Sequence, residues 1–185
     1  MSSSWRSAVD ALVKDLQRVF GARLQSVVVY GPHAEEGGEK EPVHCLALVQ
    51  SLTTQDLEAC AAAAGSWRRR GLATPLLLPA DEFHRSLDAF PLEYGEILRA
   101  HVGVFGNDPF ASATISRDDL RRACETQVKS HLVHLREEFI EAGGAPHAVG
   151  EVVTASAPAF AALLRNVARL HDVPVTDRAH ATQEG

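Results

Sequence analysis

Leu24-Gln-Ser-Val-Val-Val-Tyr30 runs into Gly31-Pro32-His33, then into a loop holding Glu35, Glu36, Glu39 and Glu41, then into Val43-His-Cys-Leu-Ala-Leu-Val49. Two β-branched apolar runs of strand length, bounded by turn residues, read as buried strands. The glycine directly after the first run lets backbone amides approach an anion with no side chain in the way. The stretch is therefore a strand–loop–strand unit with a candidate phosphate loop.

Outward from it the chain alternates. Before it, Trp5, Ala8, Val9, Leu12, Val13, Leu16 and Phe20 have helical spacing, and Gly21 ends that helix. After it, Thr53 or Thr54 caps a helix through Leu57, Cys60, Ala61, Ala64 and Trp67. That helix closes on Arg68-Arg69-Arg70-Gly71, cations suited to the negative end of a helix. A third strand over Thr74–Leu78, short helices from Asp81 and from Leu92 to Arg99, and a fourth strand over His101–Phe105 follow. After Pro109 the texture is helical. One long helix runs from Ser116 to about Ala142. A last one starts at Pro146 or Glu151 and ends near Leu170, with Pro158 expected to kink or break it. The final polar residues read as a loose tail.

The totals narrow the function. The chain has 185 residues and a formal net charge of −6. A general nucleic-acid binder needs a basic surface that displaces counterions, so that class is set aside. Three scattered cysteines, Cys45, Cys60 and Cys124, suggest a reducing compartment. The first residues lack the apolar centre of a signal peptide, and no apolar run is read as a spanning helix of ~20 residues. The expectation is a cytoplasmic protein with no membrane partner.

The order of elements resembles a family. A first helix, a strand ending in Val29-Tyr30-Gly31, a loop, a second apolar strand and a C-terminal helical bundle together look like a DNA polymerase beta-type nucleotidyltransferase. Phe90-Pro91-Leu92-Glu93-Tyr94 and Val104-Phe105-Gly106-Asn107-Asp108-Pro109-Phe110 are similar to stretches in bacterial proteins of this type. The resemblance implies an α+β fold: a minimal mixed sheet with flanking helices over residues 1–110, an antiparallel helical hairpin over 111–171 and a tail over 172–185. It also implies a Gly-Ser phosphate loop and an Asp-x-Asp or Asp-x-Glu pair on the second strand. Alternate strand residues share a face, so two carboxylates there hold two magnesium ions against a nucleotide such as ATP.

This sequence departs from the pattern at each catalytic point. Gly31 matches, but Pro32 replaces the serine and removes a backbone donor and a hydroxyl. The paired-carboxylate positions fall on Val43 and Cys45, or on Pro42 and His44 if the loop is one residue shorter. None of these suits so hard an ion as magnesium. Glu39 and Glu41 have the i, i+2 spacing just ahead of the strand and are the alternative metal ligands of an active enzyme. Gly31, Pro32 and His33, with His44, are the candidate ligand-binding set; a plain strand-to-loop turn is the competing reading.

Two helical constellations complete the search. His131, His134 and Glu138 share a helix face and offer zinc-type donors, without a companion pair elsewhere. Arg165 and His171 resemble the ribonuclease motif of HEPN domains, helical bundles often partnered with nucleotidyltransferases. There the arginine would hold a phosphate and the histidine would act as acid–base. The main expectation is a degenerate nucleotidyltransferase-fold protein, leaning away from enzyme activity. It would bind a nucleotide, a small molecule or a protein partner, and its C-terminal helices are a candidate homodimer face.

Overall fold

The computed structural model describes residues 4–34 and 41–171. The chain divides into two compact units, Met1–Thr114 and Ile115–Gly185. It is an α+β protein. The first unit holds helix α1 (Ser4–Phe20), strands β1 (Leu24–Tyr30) and β2 (His44–Val49), helix α2 (Thr54–Arg69), strand β3 (Leu76–Pro79), short helices α3 (Ala80–Arg85) and α4 (Pro91–Arg99), and strand β4 (His101–Gly106). The second holds two long helices, α5 (Arg117–Glu141) and α6 (Pro146–Leu170).

The sheet order is β3-β2-β1-β4. β1 is antiparallel to both of its neighbours, while β2 and β3 are parallel. A parallel pair needs a crossover, and α2 is that crossover. Alternation then sorts the side chains. Val27 and Val29 of β1, with Val43, Cys45, Ala47 and Val49, face α1 and α2 and form the main core with Leu12, Leu16, Cys60 and Trp67. Trp67 Nε1 donates to Asp15 Oδ2 at 3.0 Å, and Arg70 lies 3.6 Å from the same carboxylate, so one of the three arginines has a partner in α1.

The start of α2 departs from the expected apolar face. Leu57 is exposed at 48%, while Asp56 is buried. Thr53 and Asp56 form a capping box, each satisfying the other's backbone amide. Arg23 then reaches across from the turn before β1 and grips both carboxylate oxygens of Asp56, at 2.8 and 2.7 Å. A paired carboxylate is tolerated inside where an unpaired one is not, so polarity here wins over the apolar spacing.

The opposite face of the sheet carries Ser26, Val28 and Tyr30 of β1 and His44, Leu46 and Leu48 of β2, by the same alternation. Helix α3 packs against β2 and β3. Its Phe83 is fully buried and meets Tyr94 and Phe110 edge-on, with ring centroids 5.2 and 5.4 Å apart. Such T-shaped contacts are the favoured geometry for aromatic pairs.

In the second unit, Ser116 caps α5 by accepting from the Asp119 amide. The turn uses Gly143 and Gly144 at φ +59° and +69°, where glycine alone is free of strain. α6 continues through Pro158 without the break that was one of the two expectations; the turns on either side hold the helix although the ring removes the bond to the Thr154 carbonyl. The apolar residues of these helices also do not form one buried face as their spacing suggested. Cys124 and Leu163 are buried, but Val128, Leu132, Phe139, Val153, Phe160 and Leu164 are exposed. Over Pro146–Ala168 the helix is long and apolar enough to cross a membrane, by length and composition, contrary to the reading that no run is. Only 6% of that window is buried, so it is not an ordinary core helix either.

Candidate functional site

The end of β1 positions the site. Tyr30 stands opposite His44 on β2 and opposite His101 on β4. Directly opposed residues of antiparallel strands share a face. His44, Tyr30 and His101 therefore form a row of three rings across the sheet, at the strand end where Gly31 begins the loop. The Tyr30 and His44 ring centroids are 5.7 Å apart and tilted by 40°. His101 is fixed at both nitrogens: Nδ1 faces the Ile97 carbonyl at 3.0 Å and Nε2 faces Asp108 Oδ1 at 3.2 Å. Its ring also packs on Phe110 at 4.6 Å. Asp108 Oδ1 accepts the Phe110 amide as well, at 2.8 Å, which ties the row to the aromatic cluster.

Gly31–Ala34 form a single 3₁₀ turn, entered through Gly31 at φ +76°. A Cβ at Gly31 would meet nothing within 4 Å, so backbone conformation and not space calls for glycine. His33 is committed within the loop: its Nε2 hydrogen-bonds the Glu41 carbonyl at 2.8 Å, leaving Nδ1. Pro32 offers no N–H. Of the two glutamates, Glu39 lies outside the described residues, and Glu41 is exposed.

Strand β2 is where the resemblance would place paired carboxylates. Val43 and Cys45 point into the core beneath α1 and α2, with 4% and 1% of their surface exposed. Burial pushes the Cys45 thiol up to about 12, because a charge there has no water and no partner. The other face of β2 offers His44, Leu46 and Leu48. The donors of either face do not fit magnesium, which takes oxygen ligands. Among the described residues no group of three or more His, Cys, Asp or Glu could hold a metal ion. Tyr30 is raised above the usual tyrosine range, first by burial and then by Cys45; its hydroxyl is a neutral donor and acceptor.

The helical constellations do not gather a site. His134 pairs with Glu137 at 3.2 Å, not with Glu138. Arg165 is half-buried, and His171 is exposed just past the end of α6. Sequence reasoning missed Tyr30 and His101 as members of a row; the signal was there in three ring residues at strand ends, but only the register lines them up.

No protein-family model matches the chain, and no curated protein sequence does either. Among solved structures, it is similar to a spectinomycin adenyltransferase from Enterococcus faecialis, determined with ATP and spectinomycin. The two share 13% identity with a TM-score of 0.49, over 94% of this chain and 92% of that one. A mutant of the toxin–antitoxin pair MntA-HpeT is similar at 16% identity and a TM-score of 0.35, over 74% of this chain and 98% of that one. Both scores lie under 0.5, and no activity of either protein is transferred on this basis.

Proposed function

We propose that this chain is a nucleotidyltransferase-fold protein that has lost metal-dependent transfer and keeps its head, residues 1–110, for binding a nucleotide-type ligand. The C-terminal helices serve partner binding. The observation that carries the reading is the orientation of β2. The two positions where paired carboxylates belong are the core residues Val43 and Cys45 in one register, and Pro42 and His44, which supply no carboxylate, in the other. What the site does offer is the His44–Tyr30–His101 row next to the Gly31 turn. Flat rings stack on a heteroaromatic base, and the His44 imidazole and Tyr30 phenol can donate to an anion, while His101 is held by Ile97 and Asp108. Binding of this kind needs no divalent cation.

Titration calorimetry of the full chain with ATP tests this, once in excess EDTA and once with magnesium. The expected result is binding that is the same in both buffers and at least ten-fold weaker in His44→Ala. Absence of binding to ATP and to the other common nucleoside triphosphates overturns the nucleotide reading. Binding that requires magnesium overturns the loss of metal chemistry.

A further inference from the structure

Among the described residues, six of the eight large hydrophobics exposed on the hairpin fall into two stripes of one design, and Val133 and Ile140 lie off them. On α5, Val128, Leu132, the half-buried Leu135 and Phe139 are four, three and four residues apart. On α6, Val153, Ala157, Phe160 and Leu164 repeat that spacing. A 4-3-4 spacing is the seam of helices that pack side by side. These are second seams, because the first is already used where α5 meets α6, around Cys124 and Leu163. The α5 stripe lies about 50° around its helix from Cys124 and the α6 stripe about 90° from Leu163, both in the direction of increasing residue number. The helices run antiparallel, so turns in the same sense bring both stripes to one side of the hairpin. The crevice of about 590 Å³ between the helices agrees: it is lined by Phe139 and Ile140 from α5 and by Val149 and Val153 from α6.

We propose that this face is closed by the same face of a second copy, two hairpins making a four-helix bundle about a two-fold axis. This names the partner in the partner half of the function proposed above, and it rests on the hairpin alone. Three observations select a second copy. A two-fold axis sets a face on itself, so matched stripes of equal length and spacing meet their own kind. The area is adequate. Six side chains of the stripes, Val128, Leu132, Phe139, Val153, Phe160 and Leu164, expose between 42% and 60% of their surface. That is roughly 500 Å² per copy, so a pair buries ~1,000 Å² from these alone, the least that a biological interface needs. Charge disfavours an anionic membrane as the occupant. The chain carries −6, and the described start of α6 has no Lys or Arg to anchor at lipid headgroups.

The test is the molar mass of the full chain by light scattering behind size exclusion. The expected value is twice 20.0 kDa, falling to the single-copy mass in Phe139→Glu/Leu164→Glu with the helical circular dichroism retained. Because both side chains are exposed in one copy, their replacement leaves its fold intact. Should that variant unfold, Leu132→Ser/Phe160→Ser reads the same change through a milder loss. Single-copy mass for the unaltered protein at micromolar concentration overturns the proposal, as does a folded double variant that stays paired. So does a single-copy protein that co-floats with neutral phosphatidylcholine vesicles, which would make lipid the occupant. None of these results bears on nucleotide binding by the head, so the two readings fail separately.

Discussion

Placing a carboxylate at each of the two neighbouring positions on β2 separates the faces of that strand. Cys45→Asp puts it in the core, where 1% of the residue is exposed. His44→Asp puts it on the opposite, half-buried face. The magnitude at Cys45 follows from its own thiol. Burial moves that group from 9.0 to about 12, and each unit of pKa is worth about 1.4 kcal/mol. A negative charge at this spot therefore costs about 4 kcal/mol. The new carboxyl can avoid the charge by holding its proton, but at pH 7 that costs about the same, since a free aspartic acid titrates near 3.9. A loss of about 4 kcal/mol is a large part of the 5–15 kcal/mol that holds a typical domain together. The sign with pH is fixed. The new carboxyl has a raised folded-state pKa, so the penalty is absent below pH ~4 and grows as pH rises toward 7. Urea melts followed by far-UV circular dichroism at pH 4.5 and pH 7 read both effects. Cys45→Asp is expected to lose most of its stability at pH 7 and to recover much of it at 4.5, while His44→Asp stays within about 1 kcal/mol of the parent at pH 7. Equal losses in the two variants, or a tolerated Cys45→Asp at pH 7, would refute the assignment of faces.

Three other substitutions address how the head is held. Arg23 and the Thr53 hydroxyl keep the Asp56 carboxyl well below the usual carboxylate range. The stabilisation it gives is thus full above the ordinary carboxylate pKa and fades as the pH falls through the depressed value. Asp56→Asn is expected to lower the melting temperature at pH 7 and to narrow the gap to the parent as the pH is taken to 2, in melts across that range. At Gly106 (φ +72°), an added Cβ would sit 1.9 Å from the Gln25 carbonyl oxygen. Gly106→Ala should cost more than the ~1–2 kcal/mol of left-handed strain alone. Gly103→Ala, whose Cβ meets nothing within 4 Å, should change stability little in the same denaturant series.

Much of this architecture is legible in the sequence because local signals are strong there. The β-branched runs of β1 and β2, the Thr53 cap, the Ser116 cap and the Gly143-Gly144 turn each state their element in a few residues. What could not be read depends on distance along the chain. Asp56 looks like a first-turn acid until Arg23 is folded against it. Tyr30, His44 and His101 become one row only through the register of three strands. The long helices misled for a related reason: an apolar residue at core spacing does not say which of two seams it serves, and Val128 and Phe160 serve the one left open.

The most direct test of the central claim is a manganese titration of the full chain followed by electron paramagnetic resonance, with and without ATP. Manganese substitutes for magnesium and its free ion is read directly. The expected result is that the protein takes up no manganese of its own, and that any ion retained with ATP is unaffected by Glu39→Ala/Glu41→Ala. A tight protein-bound site that this double replacement abolishes would contradict it.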